Sequence, residues 1–279
     1  MFYLFLSIIF TSWWALSYKL ALKRNCSSLG VIVTAFGTAT ALTFLWKLAT
    51  FSFQFNYLSA MIGVIGGVAL FIAVLNYFVV IKGGARLGIS WAIISLSMII
   101  PTSFSVFLWK EVPTFFQALG LLLAITSICL LGKVKPANAH LTGREWALLS
   151  TAFFLTGVVS VTVKLIPALG LEKFKLTYIL FLYGGAFISA LMINRIRREL
   201  PTLKEIKVGV GMGISGVANI FFLLLALENL TGTIAFPVKT CGNIVLTVFI
   251  TYLVWGEKIN RKETIGLSLT LLAIVFMNI

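Results

Sequence analysis

An all-α membrane protein, with ten transmembrane helices in two inverted five-helix repeats, is the fold class the sequence predicts. Three observations predict it. Apolar runs of about 20 residues recur from end to end, each long enough to cross a hydrocarbon core about 30 Å thick. The 279 residues are 60% hydrophobic, with a mean hydropathy of +1.06. Positive charge collects in alternate connections, and the chain resembles itself at a separation of 144 to 146 residues.

The spans follow in order. The first, 1–22, carries Trp13 and Trp14 in its middle and Lys19 near its end. No Lys or Arg precedes it, whereas Lys23 and Arg24 follow, the reverse of a cleavable secretory signal. The second is 29–50. The third, 58–81, holds Gly63, Gly66 and Gly67, then Asn76 and Tyr77. The fourth, 88–109, holds Trp91, Ser95, Ser97 and Pro101 and ends at Trp109. Glu111 opens the fifth, 114–132. A connection with Pro136 and flanking charges, 133–145, reads as the linker between a first repeat, 1–132, and a second, 146–279. The sixth span, 146–168, ends near Lys164, and the seventh is 176–194. The eighth, 207–227, holds Gly209, Gly211, Gly213 and Asn219. The ninth, 230–254, holds Gly232, Pro237, Lys239, Gly242 and Asn243. Glu257 precedes the tenth, 263–279. Short connections force neighbouring spans to run antiparallel.

Fifteen of the 22 Lys and Arg fall in odd-numbered connections and four in even-numbered ones. The positive-inside rule then places the odd loops in the cytoplasm and both termini outside, in a membrane of bacterial inner-membrane type. The net charge of +14 reflects this retention rather than nucleic-acid binding. The chain has no Asp and a single His, His140, which argues against carboxylate-rich metal cages and two-carboxylate hydrolysis; no metal or cofactor is expected. Cys26, Cys129 and Cys241 show no metal-ligand spacing and read as small buried hydrophobes.

The repeat is legible in three places. Thr11–Leu20 matches Thr156–Leu165, Gly67 matches Gly211, and Trp109, Glu111 and Gly120 match Trp255, Glu257 and Gly266. A five-span unit is odd, so its second copy enters the membrane upside down, as in many secondary transporters. On these features the chain resembles the drug/metabolite transporter superfamily, in its ten-helix EamA-type branch. The resemblance covers the whole length. It rests on the five-plus-five repeat, on Lys19 and Lys164 closing the first helix of each half, and on Glu111 and Glu257 opening the last, each with a Gly nine residues on. It implies alternating-access transport of small metabolites, often export of amino acids or related compounds. One departure stands out. The four-helix multidrug relatives couple protons through a Glu in the first helix, and the first span here has no acidic residue.

The candidate site is sought among polar groups inside the bilayer. Lys239 lies about nine residues into its span, roughly 14 Å deep. An ammonium there costs on the order of 2.5–3.5 kcal/mol unless it meets water, a partner or an anion. Pro237 frees the Thr233 carbonyl and is expected to kink the helix, and Asn243 shares the face of Lys239 at i+4. Substrate contact competes with a structural partner such as Glu228. A sugar-nucleotide and phosphate-carrying branch of the superfamily also has a Lys in its ninth helix, which tilts the reading toward an anionic group. Trp13, Asn76, Tyr77, Trp91, Ser95 and Asn219 are candidate further contacts, each competing with a role as interhelical glue. Lys19 and Lys164 are expected as interfacial anchors, or as gating residues that pair with a carboxylate. Glu111 and Glu257 are expected as structural caps favoured by the helix dipole.

These features predict a secondary transporter for a small polar metabolite, an amino acid or related carboxylate, with a possible coupling ion. The alternatives are a carrier of phosphorylated or nucleotide-linked anions and, behind it, a channel. An enzyme is not expected: no nucleophile–base pair or metal cluster is present. Partners are a small-molecule substrate and the lipid bilayer; oligomeric state is not legible.

Overall fold

The computed structural model describes residues 1–51, 54–83, 87–132, 142–197, 200–256 and 261–277. Ten helical spans emerge. They are α1 Phe2–Lys23, α2 Ser28–Ala49, α3 Tyr57–Lys82, α4 Leu87–Phe107, α5 Phe115–Gly132, α6 Gly143–Ala168, α7 Lys175–Arg197, α8 Leu203–Leu227, α9 Gly232–Trp255 and α10 Arg261–Met277. Seven are long and apolar enough to cross a membrane by length and composition, and α4, α5 and α10 contain shorter apolar helices.

Most bounds fall within two residues of the sequence expectation; α6 and α8 start earlier. Both open on a Thr-x-x-Glu capping box, Thr142 with Glu145 and Thr202 with Glu205, which lets polar residues begin a helix. Gly143–Glu145, expected in the linker, therefore belong to α6, and 133–141 lie outside the described residues. Two helices that carry an internal proline, α4 and α9, come out differently. In α4 a 3-10 turn, Leu96–Met98, separates Leu87–Ser95 from Ile99–Phe107, one turn before Pro101. Pro101 has no N–H for the Ser97 carbonyl, and the ladder tightens there. In α9, Pro237 sits in the second turn and the helix runs unbroken.

The packing is symmetric under exchange of the first five helices with the last five. Helix α3 packs on α7 and α6, just as α8 packs on α2 and α1. Helix α1 meets α9 as α6 meets α4, and α5 and α10 pack on each other, as do α2 and α7. The major contacts run between the halves, so the repeats interleave. Small residues make the approach. A Cβ on Gly63 would sit 2.8 Å from the Tyr178 carbonyl, and one on Gly67 would strike the Leu182 carbonyl. A Cβ on Gly209 would sit 2.9 Å from the Val31 carbonyl, and one on Gly213 would strike the Ala35 carbonyl. This is the small-xxx-small packing of membrane helices. The two pairs match at 146 residues, so the structural counterpart of Gly67 is Gly213, not Gly211 as the sequence comparison suggested. Contacts advance in the same direction along α3 and α7, and along α2 and α8. Gly120 lies against Ala273 and Met277 while Ser127 donates to the Gly266 carbonyl at 2.6 Å, so α5 and α10 are antiparallel.

The helix ends repeat too. Helix α1 closes with Asn25 N–H to Leu22 O at 3.1 Å and Cys26 N–H to Ala21 O at 3.0 Å. Helix α6 closes with Gly170 N–H to Pro167 O at 3.1 Å and Leu171 N–H to Ile166 O at 2.9 Å. Asn25 (φ 52°) and Gly170 (φ 67°) take the left-handed position this termination needs. Cys26 and Cys241 are buried as expected, whereas Cys129 is exposed on α5.

Candidate functional site

Helix α1 carries a polar ridge, Ser7, Thr11 and Ser12, spaced to face its neighbours. Ser7 and Thr11 donate to Asn219 Oδ1 on α8 at 2.9 and 2.7 Å. Ser12 donates to Asn243 Oδ1 on α9 at 3.0 Å, and Thr247 donates to the same atom at 3.1 Å. The side-chain oxygens of Asn219 and Asn243, both expected at the site, therefore tie α1 to the second repeat. The sequence signal for this tie is the i, i+4 spacing of Ser7 and Thr11.

Helices α1, α3 and α4 meet in an aromatic cluster. The Tyr18 ring lies edge-on to Tyr77 with centroids 4.8 Å apart, and Trp91 lies 6.1 Å from Tyr18 and 5.7 Å from Tyr77. Tyr77 and Trp91 are thus brought together, and Tyr18, which no sequence signal singled out, joins them. Of the two mid-helix tryptophans, Trp14 turns inward against Phe36 and donates its Nε1–H to Tyr18 Oη at 3.1 Å. Trp13, the candidate contact, is 46% exposed and stacks with Phe10 instead. Asn76 is half-buried, and Ser95 is buried at the end of the first segment of α4. Helix α4 also holds polar atoms that are buried with no hydrogen-bond partner: Ser90 Oγ, Trp91 Nε1, Thr102 Oγ1 and Ser105 Oγ. Four on one broken helix is unusual, since buried polar groups are normally satisfied.

Lys239 lies on α9, half-buried and with no hydrogen-bond or ion-pair partner among the described residues. Glu228, its alternative structural partner, binds Lys175 at 2.6 Å. Because α9 starts at Gly232, Lys239 is about 10 Å from the helix start, shallower than expected; Asn243 occupies the middle.

At one end of the bundle a clasp joins three elements. Glu111 Oε1 pairs with Lys164 Nζ at 2.6 Å, and Oε2 accepts the Gly232 N–H at 2.6 Å and the Thr233 N–H at 3.4 Å. Trp109 stacks its ring 6.0 Å from the Lys164 ammonium. Two expectations change. Glu111 caps the start of α9 rather than its own helix, because the α4–α5 turn carries it there. Lys164 is not an exposed interfacial anchor: it is 5% exposed and paired. Lys19 is half-buried. Glu257, the repeat counterpart of Glu111, lies outside the described residues.

A helical bundle with apolar spans, glycine seams between interleaved halves and a few polar groups inside defines a polytopic membrane-protein fold. Residues 144–279, which are α6 to α10, match the EamA-like transporter family, which supports a place in the drug/metabolite transporter superfamily. A solved crystal structure superposes with a TM-score of 0.80 over 99% of this chain and 94% of that one, at 17% identity, which speaks to the fold alone. No curated protein is a significant match. The protein is an integral membrane transporter.

Proposed function

We propose that the protein carries a small polar metabolite bearing a carboxylate, an amino acid or close relative, by alternating access in the direction of export. The observation that carries this reading is the unpartnered Lys239 ammonium on α9. A cation inside a membrane span needs a partner. The carboxylate that sequence offered as its partner, Glu228, is engaged by Lys175. A substrate carboxylate supplies the missing charge, and the orphaned donors of α4, which packs on α9, supply polar contacts to the rest of the molecule.

The Glu111–Lys164 pair acts as a gate on one face. It ties the α4–α5 turn, α6 and the start of α9, and opening that face separates them. The odd loops lie in the cytoplasm and both termini outside, in a bacterial inner membrane, which puts this gate on the external face. A thermal-shift screen in detergent, covering amino acids, nucleotides, polyamines and sugar phosphates, tests the substrate class. A ligand bound only by the native state raises apparent stability with its concentration. Amino acids or related carboxylates should stabilise the wild type and leave Lys239→Ala unshifted. Stabilisation by sugar phosphates or nucleotides alone rejects the carboxylate class.

A further inference from the structure

The repeat builds one corner twice, once on each face, and charges only one copy. Where α1 ends and α8 begins, Lys23, Arg24, Asn25, Leu203, Lys204 and Lys207 line an open cavity of about 480 Å³. Arg24, Lys204 and Lys207 are exposed. No carboxylate lines the cavity among the described residues. Glu205, between the two α8 lysines, is 5% exposed and turned to the backbone: its oxygens accept the Ser27 N–H at 2.6 Å and the Thr202 N–H at 2.8 Å.

The matching corner is formed by the end of α6 and the start of α3. The same turn closes α6, with Gly170 in the place of Asn25. Ala168 and Leu169 then stand where Lys23 and Arg24 do, and Leu58 and Met61 where Lys204 and Lys207 do. The fold therefore does not require cations at this corner. The positive-inside rule explains the sign of a loop, but not the convergence of two separate connections on one hollow. The rim is apolar: Leu203 is 77% exposed, and Ile206 is 39% exposed.

We propose that this corner binds a phosphate-bearing anion, and that the headgroup of an anionic phospholipid is its occupant. Arg24, Lys204 and Lys207 converge on the phosphate, and the apolar rim of α8 lies where acyl chains run. Basic pockets where helices leave the bilayer suit such headgroups. A soluble phosphate shares the headgroup chemistry but has no use for the rim.

The 279-residue chain in nanodiscs tests this. Thermal unfolding is compared in phosphatidylcholine, in phosphatidylcholine with phosphatidylglycerol, and in phosphatidylcholine with added inorganic phosphate. The expected result is a higher Tm with phosphatidylglycerol and little change with phosphate. Arg24→Gln/Lys204→Gln/Lys207→Gln should lose more than half of that rise, while Arg144→Gln/Lys173→Gln, which removes charge elsewhere, keeps it. Equal Tm values for the triple variant and the wild type in phosphatidylcholine show that the fold is intact. A variant-sensitive rise with phosphate alone overturns the lipid assignment. A rise that both variants keep, or no rise at all, overturns the site.

Discussion

The Glu111 carboxylate joins three chain segments. Its side chain is 15% exposed and that of Lys164 is 7% exposed, so the pair is shielded. Removing one member of a buried pair strands the other, at a cost of about 3–5 kcal/mol. Glu111→Gln should therefore lower the thermal midpoint clearly in detergent, and Glu111→Gln/Lys164→Met should recover part of the loss. Additive loss in the double variant would mean that the two residues act separately. Cys26 makes a second prediction at this scale. Burial pushes its thiol pKa up, and the nearby Glu205 carboxylate adds to the effect. The reactive thiolate is thereby scarce at neutral pH. Iodoacetamide should modify Cys26 slowly in the folded protein, faster as pH rises well above the usual thiol range, and readily after unfolding. Rapid modification of the folded protein at neutral pH would contradict this environment. The residue scale is also where the sequence was least legible. Residue type located Lys239, Glu111 and Lys164, but only the fold decides which carboxylate meets which ammonium. Glu228 was a reasonable partner for Lys239 by sequence distance, yet Lys175 reaches it.

At the scale of elements, the spans were legible because apolar length is a strong signal and the bilayer fixes it. What escaped were helix starts written in polar residues: Thr142 with Glu145, and Thr202 with Glu205. Proline position mattered as well. Pro101 follows the 3-10 break in α4, whereas α9 runs through Pro237 in its second turn as one helix. The glycines were recognised as sites of close approach, but their partners were not visible. Helix α3 meets α7 and α8 meets α2 through Gly67 and Gly213, where an added methyl would meet backbone carbonyls that cannot swing aside. Gly67→Ala and Gly213→Ala should each cost about 1–3 kcal/mol through overpacking. Gly143→Ala, with nothing within 4 Å of the added carbon, should be close to neutral. Thermal unfolding of the three variants checks the order, and equal midpoints would contradict the seams.

For the whole molecule, exchange symmetry is the organising fact. Every major contact between helices has a counterpart five helices on, and the strongest contacts lie between halves. Two interleaved, oppositely inserted units can rock against each other while a central group stays in place, which is how inverted-repeat carriers expose one site to either side. The symmetry is broken by chemistry: Lys239 has Ile93 as its counterpart 146 residues earlier, and the ammonium is provided once. A single cation suits one carboxylate better than a polyanion. Trans-stimulated uptake in proteoliposomes tests this most directly, using the carboxylate compound that most stabilises the purified protein. Wild-type protein should show saturable uptake that accelerates when the same compound is preloaded inside. Lys239→Ala should lose both binding and exchange, while Lys239→Arg keeps part of them. Full affinity and full exchange in Lys239→Ala, or uptake that neither saturates nor responds to preloading, would contradict a carrier built around this ammonium.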